Sequence, residues 1–141
     1  MSTVSFTREI KIAAPPTAVW SVLATPSRQP AVDPRVRLTG EWGEPGTVGS
    51  SYELAMRGKP TTRLSVTDAE PGVRHVAAVG WNGRPRGSQE AHLRPDGAGC
   101  VLTYTVSIDV PRVLRPVQKS FGARQLGRWL EGVARVSTAS D

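Results

Sequence analysis

Cysteine is almost missing from this chain. Cys100 stands alone among 141 residues, so no internal disulfide can form. A lone thiol suits a reducing compartment, and its place in an apolar strand reads as a buried, inert side chain rather than a nucleophile. Histidine is nearly as scarce: His75 and His92 stand without a carboxylate cluster, so neither a metal site nor a cofactor is expected. No apolar run approaches the ~20 residues that span a bilayer. The opening MSTVSFTREIK lacks the apolar centre of a secretory signal, and a cytoplasmic protein is expected. No nucleophile elbow supports Ser–His–Asp chemistry. The glycines of Gly43–Gly49 lack the lysine and helix that would make a phosphate cradle.

Acidic residues are also short, with 12 against 18 basic and a net charge of +6. Fifteen of the basic residues are arginine, spread along the chain with no basic run and no interleaved aromatics. That pattern reads as a solvated surface, and no nucleic-acid partner is expected.

What remains is an ordinary globular balance, 38% hydrophobic and 21% charged, in a length suited to one domain over 1–141 with a real core. Gly 14 and Pro 12 suit many turns between short strands. Val4–Ile12 alternates as a half-buried strand. Pro15–Pro16 then starts a short helix with Val19, Trp20 and Leu23 on its buried face, and Thr25–Pro26 starts a second, with Thr25 as N-cap. Strands follow over Arg35–Trp42, Val48–Met56, Thr62–Asp68, Val73–Trp81, Gly87–Arg94 and Val101–Val110. The turn at Asn82–Gly83 is a strong two-residue hairpin signal. Even spacing and hairpin turns make an antiparallel meander with one polar face.

The segment Arg112–Val136 is the one stretch long enough for a major helix. Leu126, Trp129, Leu130 and Val133 recur at i, i+3, i+4 and i+7 on one face, with Arg124, Arg128, Glu131 and Arg135 opposite. The earlier apolar set, Val113, Leu114, Val117 and Phe121, points nearly the other way. Gly122 lies between the sets, so a kink there is expected, or a first half that packs its other face on a neighbour. Pro116 requires the helix to start close to it.

Ile12-Ala-Ala-Pro15 followed by Val19–Trp20 resembles the I-x-A-P-x-x-x-V-W opening of the START/Bet v 1-like (SRPBCC) helix-grip superfamily, within its bacterial polyketide cyclase/dehydrase and lipid-transport group. Gly46–Leu54, Val66 ahead of Pro71, and Leu93-Arg-Pro-Asp-Gly-Ala-Gly99 running into Leu102–Thr103 are similar to its later signatures. The chain departs at Ala31–Val32–Asp33, where the family often carries an aromatic, and at Gly99–Cys100, where it often has Gly–Thr. The resemblance implies an α+β helix-grip fold. A curved seven-stranded antiparallel sheet would wrap a long C-terminal helix, with two short helices after strand 1 and a cavity for an apolar molecule between sheet and helix.

Alternation places Tyr52, Leu54, Met56, Leu64 and Val66 on the inner face, pairing Leu54 with Leu64. His75, Ala77, Val79 and Trp81 join them, with Gln89, Ala91, Tyr104, Val106 and Ile108 from the pairing of Leu93 with Leu102. The two halves disagree in parity across Asn82–Gly83, so one β-bulge or offset is required. His75 and Tyr104 are the candidates for proton transfer to a carbonyl, although the plainer and favoured reading makes them satisfied core polar groups or contacts that orient a ligand. Trp20, Tyr52, Leu54, Val66, Trp81, Gln89, Val106, Leu126, Trp129 and Leu130 are candidate ligand contacts. Asp33, in the proline-flanked loop, is a candidate gate or base, or a turn former. His92 and Glu90 face outward. The expected function is binding a lipid- or polyketide-like molecule as carrier or sensor. One alternative is a cyclase, aromatase or dehydratase using the same pocket. The other is an interaction module docking a protein or membrane through the Arg124–Arg128–Arg135 face, which Glu131 weakens.

Overall fold

The computed structural model describes residues 2–139. The alternating segments all form strands: β1 (Ser2–Ile12), β2 (Val36–Trp42), β3 (Ser51–Met56), β4 (Thr62–Glu70), β5 (Arg74–Trp81), β6 (Arg84–Asp96) and β7 (Gly99–Val110). They make one antiparallel sheet in the order β1-β7-β6-β5-β4-β3-β2. Between β1 and β2 lie helix α1 (Pro16–Ala24), a 3-10 turn (Pro26–Arg28) and helix α2 (Gln29–Val32). A 3-10 turn (Arg112–Leu114) leads into the long helix α3 (Arg115–Ala139). Pro16 stands in the first turn of α1 and Pro116 in the first turn of α3, where no N–H is missed. Thr25 holds the N-cap position before Pro26, but its side chain makes no capping bond. β3 starts at Ser51 rather than Val48, because Gly43, Gly46 and Gly49 all take positive φ and keep that approach a loop.

The outer face of β1 and β7 is a polar ladder. Ser5 bonds Ser107 and Thr7 bonds Thr105, each at 2.9 Å. The inner face reads in rows across the strands. Tyr104, Ala91 and His75 share one row; Val106, Gln89, Ala77 and Val66 the next; Ile108, Gly87, Val79, Leu64 and Tyr52 a third. The hairpin β3–β4 pairs Tyr52 with Leu64 and Leu54 with Thr62, not Leu54 with Leu64. Its turn closes early, with the Lys59 N–H donated to the Met56 carbonyl. The offset is two residues, so every side chain keeps its face.

The parity conflict resolves at the expected hairpin. Gly80 pairs with Pro85 and Val79 with Gly87, leaving Arg86 as the extra residue of a bulge. Further bulges sit at Thr67 and Thr39. Each bends its strand, and a bent sheet leaves room beneath the helix.

α3 is unbroken for 25 residues, with no break at Gly122. The glycine serves close approach instead: a Cβ there would come within 2.5 Å of Phe6 Cζ. Nor does the first half find a neighbour for its other face; Val113, Leu114, Val117 and Phe121 are exposed. The second half is packed. Leu126, Leu130 and Val133 join Val19, Val22, Leu102 and Val4 in the main core. This core gathers α1, α2, β1, β6, β7 and the second half of α3, and the first half of α3 stands outside it.

Two glycines of α3 test this packing. A Cβ at Gly132 would collide with the backbone carbonyl of Val32, while one at Gly127 would meet only the tip of exposed Arg8, 3.0 Å away. Either alanine gains about 1 kcal/mol of helix propensity, but overpacking against rigid backbone costs about 1–3 kcal/mol. Urea unfolding should show Gly132→Ala destabilised by about 1–2 kcal/mol and Gly127→Ala stabilised by up to about 1 kcal/mol. Equal shifts of one sign in both variants would contradict the α2–α3 contact.

Candidate functional site: a cavity between sheet and helix

Where the bent sheet and α3 part, they enclose a cavity of about 510 Å³. β3 to β7 supply one wall and α3 the other through Gln118, Phe121, Gln125, Leu126 and Trp129. The strand rows order it from end to end. The closed end is the His75–Ala91–Tyr104 row, where His75 and Tyr104 are buried. The open end lies at the β3–β4 turn, with Met56, Lys59 and Pro60 facing Phe121.

The closed end is polar and neutral. The Tyr104 hydroxyl donates to Gln89 Oε1 at 2.8 Å, and its ring lies 4.8 Å from that of Trp129. Trp129 donates its indole N–H to Gln29 Oε1 at 3.3 Å. Burial pushes the phenols of Tyr52 and Tyr104 well above their ordinary value, with the nearby Tyr52 adding to the shift at Tyr104. Both remain protonated donors at neutral pH. Burial alone lowers the His75 imidazole below its ordinary value, and no hydrogen bond contributes. Its ring meets Trp20 edge-on at 6.2 Å. His75 and Tyr104 flank the small Ala91, so their Cα atoms stand about 10 Å apart across two strand spacings.

The lowered imidazole has a sign that can be checked. Near neutral pH both folded and unfolded chains carry this histidine uncharged. As pH falls through 6.5, the value before burial, the unfolded chain takes up a proton that the folded one refuses. Stability should therefore be intact above that value and fall below it. Denaturant unfolding from about pH 7.5 down to about pH 5.5 should show a smaller loss for His75→Phe than for the parent; identical slopes would mean that the imidazole is solvated.

Of the twelve candidate catalytic and ligand-contact residues, His75, Tyr104, Tyr52, Leu54, Trp81, Gln89, Val106, Leu126 and Trp129 line this cavity. Three do not. Trp20 stands behind His75, its indole N–H on the Arg74 carbonyl at 2.8 Å. Val66 is buried at a shallow depression with Ala24 and Pro26. Leu130 is 2% exposed in the packed core. Asp33 does reach the cavity, but its carboxylate is held by Arg35 at 3.0 Å. The Arg35 hydrogen bond keeps it below the usual carboxylate range, which makes it a poor proton acceptor. Arg35 also bonds Gln125 at 3.1 Å, so the pair clips the loop after α2 to α3. Arg135, expected on a free basic face, donates to the Ala31 and Val32 carbonyls.

Other lining residues were not singled out. Gln118, Phe121 and Gln125 precede the expected Trp129 at i, i+3, i+7 and i+11, a stripe that shows only when α3 is read as one helix. Gln29 is 3% exposed, and nothing in the proline-flanked segment Gln29–Val32 marks it as inward. His92 is exposed on the outer face. Among the described residues, no group of three metal-ligating side chains is gathered.

A curved antiparallel sheet gripping one long helix over an apolar hollow defines the helix-grip class. The family described as "Polyketide cyclase / dehydrase and lipid transport" matches residues 3–139, and the chain belongs to it. Among solved structures, a protein from Nitrosomonas europaea is similar at a TM-score of 0.77 and 13% identity, covering 98% of this chain and 96% of that one. A norcoclaurine synthase point mutant from Thalictrum, solved with a transition-state analogue, superposes at 0.74 with 15% identity over 98% and 96% of the two chains. Ara h 8.0201 superposes at 0.70 with 11% identity over 99% and 100%. Identities this low carry the fold and nothing finer. No curated protein sequence matches the chain.

Proposed function

We propose that the protein binds one largely apolar small molecule, of lipid or polyketide type, in this cavity and acts as its carrier or sensor. The observation behind this reading is the cavity: about 510 Å³, open at one end and apolar along most of its walls, within the range of small-molecule sites. Its closed end offers the uncharged hydrogen-bonding groups Tyr104 and His75, with Gln89 on the next row. Burying a charge there would be expensive, so the guest places an uncharged oxygen, a hydroxyl or carbonyl, at that end.

A second reading, a cyclase, aromatase or dehydratase, has one observation in its favour. The His75 imidazole faces the cavity, and burial is the one influence shifting it. Against it, both phenols hold their protons and Asp33 is held by Arg35, so the His75 imidazole, lowered by burial, has no acid or base among them to work with. Chemistry on a polyketide chain draws on an acid and a base together.

Melting curves against a library of apolar compounds test the binding. At a hundredfold excess over its Kd, a true ligand adds about 2.7 kcal/mol of stability, a shift of several degrees. No shift from any apolar compound would sink both readings. With a ligand in hand, His75→Phe and Tyr104→Phe separate them: weaker binding without turnover is the carrier, and loss of a measured turnover is the enzyme.

A further inference from the structure

The fold leaves an apolar strip in water beside the mouth of the cavity. Val113 is 82% exposed, Leu114 50%, Val117 66% and Phe121 48%. Leu114, Val117 and Phe121 lie at i, i+3 and i+7, one helical face, and Phe121 forms part of the cavity rim. Contiguous exposed apolar surface of this kind marks an interaction site.

The charges around the strip are largely of one sign; Asp109, at the end of β7, is an exception, and its carboxylate accepts a hydrogen bond from Thr3. From Val110 to Leu130 the chain carries Arg112, Arg115, Lys119, Arg124 and Arg128 and no acidic residue. Register brings more cations to the same end of the sheet. β7 ends at Val110 where α3 begins, and Gly87 pairs with Ile108, so the β5–β6 turn with Arg84 lies alongside. Thr62 pairs with Trp81, which sets the β3–β4 turn with Arg57 and Lys59 next to it. The Lys59 ammonium stands 5.9 Å from the Phe121 ring centroid and joins that turn to the helix. Among the described residues, the salt bridges fall elsewhere, on Arg35, Arg74 and Arg94.

We propose that this end of the protein docks on an anionic lipid bilayer. Val113, Leu114 and Val117 enter the boundary between headgroups and acyl chains, and the surrounding lysines and arginines hold the charged surface. A second copy of the chain would bring eight like charges against eight, which opposes self-association through this face. A nucleic acid would satisfy the cations and leave the apolar side chains unused. The cavity opens inside the patch, so docking gives an apolar guest a path that avoids bulk water. That last point rests on the carrier reading; the docking itself does not.

Vesicle sedimentation with the full chain and no added ligand tests it. The protein should sediment with phosphatidylcholine vesicles containing about 30% phosphatidylglycerol and not with phosphatidylcholine alone. Binding should weaken as salt rises from about 0.1 M to about 0.5 M. Each reversed charge at the surface should lower the partition about fivefold or more, so Arg115→Glu/Lys119→Glu should lose at least about 25-fold. Val113→Ser/Val117→Ser, with exposed positions outside the cavity and an unchanged melting curve, should lose about tenfold or more. No sedimentation with anionic vesicles overturns the proposal, as does equal sedimentation with neutral ones. So does an apolar double variant that binds like the parent, because the strip would then serve no bilayer and the cations would await an acidic protein or a nucleic acid. A failed ligand screen with intact vesicle binding would remove the carrier reading and leave the docking.

Discussion

Leu130→Ala is expected to destabilise the protein by about 2–5 kcal/mol, the range for deleting a fully buried leucine. The residue is 2% exposed and packs in the cluster that holds Val19, Val22, Leu102 and Val133. The cluster draws on α1, α2, β1, β6 and β7 as well as α3. Such a site collapses poorly, and the cost rises with the void left behind. Leu54→Ala is the contrast. Leu54 is half-buried and borders the cavity, so truncation enlarges an existing hollow and forfeits fewer contacts. About 1 kcal/mol is expected for it, the usual size of a point-mutant effect. The ligand affinities should run the other way, weakened in Leu54→Ala and unchanged in Leu130→Ala below its melting range. Urea unfolding with titration of a screened ligand reads both. A Leu130→Ala cost below about 1 kcal/mol would mean that α3 does not close over a packed core.

That pairing also shows what could be read in advance. Period-2 alternation named the inner face of β3 to β7, because a side chain's face follows from strand parity alone. The need for a bulge near Asn82–Gly83 was legible for the same reason: two correct halves could not otherwise agree. The bulges at Thr67 and Thr39 were not, since each lies within a strand pair whose two ends are separately consistent. Leu130 was misjudged among the ligand contacts because helical spacing fixes a direction around the axis, not a position along it. Leu126 and Trp129 point the same way and meet the cavity; one turn further on, Leu130 meets the core. The expected break at Gly122 failed for a related reason. Opposed apolar stripes argue for a kink only if both must be buried, and the first one is left in water.

Two neighbouring alanines carry the sharpest consequence of a half-filled sandwich. Ala77 and Ala91 are 2% and 1% exposed, on adjacent rows of the inner face. Ala77 borders the cavity; Ala91 belongs to the main core cluster, between His75 and Tyr104. Ala91→Trp has nowhere to put an indole and should cost at least about 3 kcal/mol, the upper end of overpacking. Ala77→Trp swings its indole into the hollow, where the lining has no partner atoms to lose. Its stability should stay level or rise by up to about 2 kcal/mol, as cavity-filling changes do. The same indole occupies the space a guest needs, so affinity for a screened ligand should drop at least about a hundredfold, some 2.7 kcal/mol. Denaturant unfolding and calorimetric titration of the two variants separate the possibilities by sign. If Ala77→Trp unfolds as readily as Ala91→Trp, the interior is full there and the binding proposal falls with it. If it folds well and still binds, the guest sits elsewhere.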